Sequence, residues 1–425
     1  MPDGSATVHL YRPKLVTIVS EGYTLDHFRK DALAALTVAV VALPLSMAIA
    51  VASGVSPARG LYTAIIGGAL VSALSGSRYQ IGGPAGAFIV LVAATVAKFG
   101  VEGLLLAVLV SGMMLALVGA LRLGSLIRHI PHPVTVGFTC GIAITILASQ
   151  LTDLGGLRLA HEPGPLVPKL IALGHVLNTL NPAALGIGLG SAALIFFLKS
   201  IRPNWPGMLI AVAAASLLTF LFGLHIETIG TRFGELPHGM LMPRLPDMSP
   251  ALLWAILPSA LSFTLLGGVE SLLSAKVADE MTGRKHRSNM ELVGQGIANV
   301  ASALFGGICV TGTIARTATN IRAGARTPIS GILHSAFVLL FMLVAAPLAS
   351  YVPLAALAGV LVAVCWNMAE KKEFWRLLGD VPSAAVLIAT FGLTLLWNLT
   401  AGIVAGCVLA ALFALFRKFV PEEGE

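Results

Sequence analysis

Fourteen apolar runs, each bounded by charge, glycine or proline, succeed one another along this chain and leave little for water to solvate. They cover residues 32–53, 58–76, 81–97, 103–121, 131–151, 182–199, 207–223, 250–276, 291–307, 310–322, 328–350, 353–369, 382–398 and 400–416. A straight helix needs about 20 apolar residues to cross a bilayer. Residues 81–97 and 310–322 are too short for that and are expected not to cross as full helices. The composition agrees, with 56% hydrophobic and only 11% charged residues, against about 25% charged in a soluble domain. The net charge of +7 does not point to nucleic acid. The basic residues fall in the connections between runs, where the positive-inside rule expects them, rather than clustering with aromatics on one face.

An even number of spans puts both termini on one side. With the N-terminus, the even-numbered connections and the C-terminus placed in the cytoplasm, twenty of the 27 Lys and Arg residues lie there and six lie opposite, with Arg316 inside a span. That asymmetry supports the parity and predicts cytoplasmic termini. The first 30 residues lack the apolar centre of a cleavable signal, so the first span is expected to direct insertion. Four scattered cysteines, Cys140, Cys309, Cys365 and Cys407, have no metal-ligand or disulfide-framework spacing and read as packing residues. No GxxxxGK[ST] phosphate loop, HExxH motif or Cys/His cluster occurs, which argues against ATP-driven pumping and metal chemistry. No nucleophile–base pair is visible in the spans, so an enzyme is the weakest reading; no cofactor is expected.

The long connections 152–181 and 224–249 are rich in Pro and Gly, and the second divides the chain into two sets of seven runs. The expected organisation is an N-terminal cytoplasmic segment, 1–30; a first repeat, 31–223; an extracytoplasmic connection, 224–249; a second repeat, 250–416; and a short cytoplasmic tail, 417–425. Seven is odd, so the halves would be inverted. Each has a short, glycine-broken third run, "IGGPAGAFIV" at 81–90 and "GGICVTGTIARTATN" at 306–320. The fold class is therefore an all-α polytopic membrane protein with broken third and tenth segments meeting near the midplane.

Non-helical backbone at membrane depth is tolerated only where protein or a water-filled cavity surrounds it. Two half-helices starting there would aim free N–H groups and partial positive charge at one another, a site for an anion. The expected donors are the N–H groups of the backbone around Pro84, Ala85, Gly86, Ala87 and Phe88, with Pro84, which has no N–H of its own, suited to a first helical position, and at Gly312, Thr313, Ile314 and Ala315. Arg316 adds a full charge, either attracting the anion or fixed in a pair, for instance with Glu270. Arg322 and Arg326 read as interfacial anchors. Glu270, in "LLGGVESLLSAK", lies nine residues before Asp279, roughly 14 Å along a helix and so near the middle of the bilayer. Burial favours the protonated form of a carboxylate and a nearby cation the charged form, a balance suited to carrying a proton or holding a cation. His334 reads more simply as a packing residue than as a relay.

The stretches "DALAALTVAVVALPLSMAIAVASGVSPARGLY" (31–62), "GSRYQIGGPAGAFIV" (76–90), "FTCGIAITILASQL" (138–151) and "ESLLSAKVADEMTGRKHRSNMELVGQGIANVASALFGGICVTGTIARTATNIRAGARTPISGILHSA" (270–336) resemble the sulfate permease (SulP) family, relatives of solute carrier family 26. The resemblance spans essentially the whole chain. It implies fourteen spans in two inverted repeats, arranged as core and gate domains, with the anion bound between the third and tenth spans and the core moving as an elevator. It puts pocket positions on Ala85 and Ala315, the tenth-span arginine on Arg316, and the coupling acid on Glu270. Many members carry Gln after the first-span proline and an aromatic further on; here these positions are Leu45 and Ile49, which makes that wall more apolar. The family usually continues into a cytoplasmic STAS domain, whereas this chain stops at "FRKFVPEEGE".

The expected function is secondary active transport of a small inorganic or organic anion, a dicarboxylate such as fumarate or sulfate, in symport with protons through Glu270. Sodium-coupled bicarbonate uptake is the alternative, with Glu270 and Ser274 among the sodium ligands; an anion channel is another. The implied location is the bacterial cytoplasmic membrane, and the implied assembly a homodimer.

Overall fold

The computed structural model describes residues 11–124, 131–159, 163, 166–203, 205–235, 239, 242–397 and 399–419. The first ten residues of the expected N-terminal segment and residues 420–425 of the expected tail lie outside them. A short helix, α1 (Lys14–Glu21), precedes α2 (Leu25–Ala52) and α3 (Pro57–Leu74), the last interrupted by a π-helical turn at Thr63–Gly67. A two-residue strand, β1 (Gly82–Gly83), and a 3₁₀ turn (Gly86–Phe88) lead into α4 (Ile89–Ala120). Then come α5 (His132–Gly155), α6 (Leu166–His175), α7 (Pro182–Ile201), α8 (Gly207–Leu221) and α9 (Ile229–Phe233). The second half holds α10 (Pro250–Thr282), α11 (Ser288–Leu304), β2 (Thr311–Gly312), α12 (Ile314–Arg322), α13 (Ile329–Ala349), α14 (Leu354–Met368), α15 (Lys371–Leu377), α16 (Val381–Leu396) and α17 (Leu399–Phe419).

Among the described residues, eight helices are long and apolar enough to cross a membrane, and the chain is a multi-pass membrane protein. The other apolar runs fall on shorter helices, including Gly207–Leu221 and Val381–Leu396. Local signals explain many starts. The Thr24 hydroxyl accepts from the His27 N–H at the head of α2, Asn181 caps α7 ahead of Pro182, and Asp380 caps α16 by accepting from the Ser383 N–H. The runs at 81–97 and 103–121 join at Gly100, whose φ of 69° breaks helical geometry inside α4, a conformation that glycine adopts without the cost other residues bear. The connection 152–181, expected as a loop, carries the ten-residue helix α6.

The helices sort into two packing groups. In one, α4 packs on α10 and α11, α13 packs on α2 and α3, and α12 lies against α2 and α10. In the other, α5 packs on α14 and α16, with α7 against α8 and α14, and α17 against α16. Each group draws on both halves of the chain, so the sequence halves are interleaved in space. They meet where α2 touches α8 and α14. The first group contains a polar interior unusual for an apolar chain: Ser46, Ser271, Ser274, Gln295, Thr317, Asn320, Ser330 and His334 are all buried.

Candidate functional site

The centre of the first group is a crossing of two extended segments. β1 and β2 pair antiparallel, with Gly82 opposite Gly312 and Gly83 opposite Thr311. Extended backbone in an apolar interior must find partners for every N–H and C=O, and side chains supply them. Asn299 brackets Val310, donating to its carbonyl at 2.8 Å and accepting from its N–H at 3.0 Å. The Thr63 hydroxyl accepts from the Ile308 N–H at 2.7 Å, and Ser302 donates to the Ile308 carbonyl at 2.7 Å. The Ser271 hydroxyl shares a bond with Thr311 at 2.8 Å. Thr317 accepts from the Ile81 N–H at 3.1 Å, while the Ile81 carbonyl accepts from the Thr313 N–H at 3.0 Å. The broken segments are thus fastened to each other before either becomes helical.

From this crossing the two helix starts emerge. The 3₁₀ turn begins at Gly86, with Ala85 as its extended N-cap (φ −114°, ψ 144°). Pro84 therefore precedes the helix rather than occupying its first position, because residues 82–85 are spent on pairing and the approach to the turn. The Phe88 N–H is already bonded to the Ala85 carbonyl at 3.1 Å, and its buried ring stacks on Phe263, with centroids 6.0 Å apart. Among the described residues, that leaves Gly86 and Ala87 as the amides of the first turn with no hydrogen bond. In the second half, Thr313 is the N-cap of α12. The Gly312 N–H donates to Ser271 at 3.4 Å and the Thr313 N–H to Ile81, so neither is free for an anion. Among the described residues the first-turn amides without a hydrogen bond are those of Ile314, Ala315 and Arg316, and Ile314 and Ala315 are also exposed, Ile314 to 39%. Of the nine backbone positions expected, Pro84 has no N–H, those of Phe88, Gly312 and Thr313 are bonded, and Ala85, Gly86, Ala87, Ile314 and Ala315 have no hydrogen-bond acceptor among the described residues.

Arg316 is the largest fully buried side chain, 1% exposed. Its guanidinium donates from Nη2 to the Ser46 hydroxyl at 3.1 Å and to the Pro84 carbonyl at 3.4 Å, while Nε and Nη1 have no partner among the described residues. It forms no ion pair with Glu270. The charge is instead held between α2 and the residue just before the first helix start. Gly83 makes room for it: a Cβ there would stand 2.1 Å from Nη1. The His334 ring, also fully buried, has neither nitrogen partnered.

Glu270 lies on α10, only partly buried, with no hydrogen bond or ion pair among the described residues. One turn on, the buried Ser274 hydroxyl lies 3.3 Å from that of Thr317 in α12. Leu45 and Ile49 are buried on α2, 7% and 2% exposed, flanking Ser46. Ser46, Gln80, Ser271, Asn299 and Thr317 were not anticipated from the sequence. Polar residues inside apolar runs were the available signal, but which backbone each would satisfy depends on the crossing. The described residues contain no group of three or more His, Cys, Asp or Glu side chains able to hold a metal. The four cysteines are all unpaired.

Between the two packing groups opens a cavity of about 1520 Å³, reaching Val51 of α2, Ile89 to Ala97 of α4, Thr145 to Asp153 of α5, and Lys169 of α6. It stops at Ile89, beside the first helix start, and includes neither Ile314 nor Glu270.

Residues 28–391 match the sequence profile of the sulfate permease family. The chain is 43% identical over 399 residues to YvdB of Bacillus subtilis, a protein named as a sulfate transporter, covering 93% of this chain and 75% of that one. It is 31% identical over 406 residues to the bicarbonate transporter BicA of Picosynechococcus, covering 92% and 71%. Its fold is similar to that of the transmembrane domain of a cyanobacterial bicarbonate transporter BicA, with a TM-score of 0.79 at 30% identity over 91% of this chain and 98% of that domain.

Proposed function

This chain belongs to the sulfate permease family, a family of anion transporters and not of enzymes, and on that premise we propose that it is a secondary active transporter of a small anion. The observation that carries the proposal is the pairing of Gly82–Gly83 with Thr311–Gly312. It brings the unpaired amides of Gly86 and Ala87 and of Ile314 and Ala315 to one crossing, with the Arg316 charge buried beside them. Helix starts of this kind favour negative charge through both their N–H groups and their dipoles. Ala85, Leu45 and Ile49 supply the surrounding walls.

On this reading the fourteen runs are fourteen segments in two inverted repeats, 31–223 and 250–416, joined by 224–249, with both termini in the cytoplasm. The group containing α2, α4, α10 and α12 is the moving core, the group containing α5, α7, α14 and α16 is the gate, and the cavity between them is one access route. The substrate is a dicarboxylate or sulfate, moved in symport with a proton that Glu270 carries. Its lack of a fixed partner among the described residues suits a group that must change protonation during the cycle. Sodium-coupled bicarbonate transport is the second reading, favoured by the likeness to the BicA proteins and by the Ser274 hydroxyl one turn from Glu270.

The test is uptake into proteoliposomes of labelled sulfate, fumarate and bicarbonate under imposed proton or sodium gradients. Proton-driven accumulation of sulfate or fumarate that disappears in Glu270→Gln, while exchange of internal for external anion survives, supports the first reading. Accumulation that follows only the sodium gradient and only bicarbonate supports the second. Current without counterflow, at rates beyond conformational cycling, would assign a channel.

A further inference from the structure

At the end of the molecule where α3 closes and α11 begins, four cationic side chains gather around helix α1. The Lys14 N–H donates to the Ser75 carbonyl at 3.1 Å, and the Arg287 N–H donates to the neighbouring Gly76 carbonyl at 3.1 Å. The Arg287 guanidinium reaches back to the Arg12 carbonyl and to the Thr17 hydroxyl, the latter at 3.1 Å. Arg78 stands three residues beyond Ser75. These bonds seat α1 so that Arg12, Lys14, Arg78 and Arg287 share one small region.

The acids nearby are already engaged. Glu21 grips Arg78 through both oxygens at 2.7 Å. Asp279 is taken by the His286 ring at 2.6 Å. Glu291 is buried and accepts from the Gly76 N–H at 3.0 Å. Among the described residues, Arg12, Lys14 and Arg287 are left without a carboxylate, and Arg12 donates to the Val16 carbonyl and the Ser20 hydroxyl. The Lys14 ammonium has no hydrogen-bond partner among the described residues. Burial, together with the Arg287 and Arg78 charges, pushes it below the ordinary lysine range, and burial with Arg12 and Arg78 does the same to Arg287. Like charges held together at this cost call for a counter-anion.

The outer face of the same region is apolar. Val16 and Val19 on α1, and Leu25, Phe28 and Leu33 at the start of α2, are exposed, Val19 to 64% and Leu25 to 66%. Apolar side chains facing outward over a cationic cluster are the pattern of a helix lying in the interfacial plane of a bilayer, where basic residues attract anionic lipid. We propose that Arg12, Lys14 and Arg287 form a binding site for the phosphate of an anionic phospholipid, whose acyl chains lie along Val16 and Val19. Arg78, neutralised by Glu21, borders the site.

Native mass spectrometry of the full-length protein, titrated with phosphatidylglycerol or phosphatidylcholine, tests this. The wild-type protein should retain phosphatidylglycerol at least tenfold better than phosphatidylcholine. Arg12→Gln combined with Lys14→Gln should abolish that preference. Arg284→Gln combined with Lys285→Gln removes the same charge from an exposed loop and should leave it intact. Should the first pair fail to fold, Lys14→Gln alone should weaken retention and Lys14→Arg restore it. Equal loss in both double variants, or equal retention of the two lipids, overturns the proposal. Displacement of phosphatidylglycerol by millimolar inorganic phosphate overturns the lipid assignment in favour of a soluble phosphate site.

Discussion

Gly83→Ala tests how the buried arginine serves the candidate anion site. The added Cβ would lie 2.1 Å from Arg316 Nη1 and 3.0 Å from Cζ, about 1.3 Å short of ordinary contact at the first atom. The guanidinium cannot stay. Its bonds to Ser46 and the Pro84 carbonyl, at 3.1 and 3.4 Å, leave no slack for a shift of that size. Losing one hydrogen bond from a charged donor costs about 1.5–3 kcal/mol, which corresponds to about 10- to 100-fold in uptake efficiency if the displaced charge no longer assists the anion. The assay is initial uptake of the best-transported anion in proteoliposomes, with the melting temperature in detergent measured in parallel. Gly267→Ala is the control, since its added Cβ meets nothing closer than Phe88 Cζ at 3.8 Å and should leave uptake near wild type. Wild-type uptake by a folded Gly83→Ala protein would refute the placement of Arg316 as functionally important.

Ala315→Glu puts a carboxylate at an exposed helix start and should lower anion uptake at least tenfold while leaving the melting temperature within a few degrees; unchanged affinity would remove Ile314 and Ala315 from the site. Asp31, fully buried on α2, accepts from the Arg326 and Thr327 N–H groups, the Thr327 hydroxyl and the Tyr23 hydroxyl. Asp31→Ala should therefore destabilise by about 2–4 kcal/mol, read as a lower melting temperature in neutral lipid. Gly312→Ala would drive a Cβ to 1.3 Å from Gln80 Nε2, and loss of both folded yield and uptake is expected. Cys309 and Cys365 are buried and Cys407 is less so, so maleimide labelling of the native protein should fall in Cys407→Ser by more than in Cys309→Ser.

Much of the architecture was legible because apolar length and its punctuation are local properties. The runs at 182–199 and 328–350 land on α7 and α13 with ends displaced by at most two residues, and the run at 32–53 lands on α2, which starts seven residues earlier at Leu25. In the two short runs Gly82, Gly83 and Gly312 fall on extended backbone, Gly82–Gly83 and Thr311–Gly312, ahead of the helix starts. Which amides remain free could not be read in advance. Gly312 and Thr313 look like helix-start residues, yet their N–H groups are consumed by Ser271 and Ile81, partners far away in sequence. Arg316 was identifiable as exceptional from its type and position alone. Its direction was not, because Ser46 and the Pro84 carbonyl become neighbours only once α2, β1 and α12 are assembled.

The Ile81–Thr313 bond joins positions 232 residues apart. During synthesis, the first broken segment therefore waits for more than half of the remaining chain before its extended backbone acquires partners. Until β2 arrives, Gly82 and Gly83 are unpaired strand in an apolar setting, an expensive condition. The crossing beside the candidate anion site is thus completed only once β2 has been made. A ribosome-stalled chain ending before residue 311 should hold its early helices without a formed crossing, its Gly82 and Gly83 still lacking their strand partner.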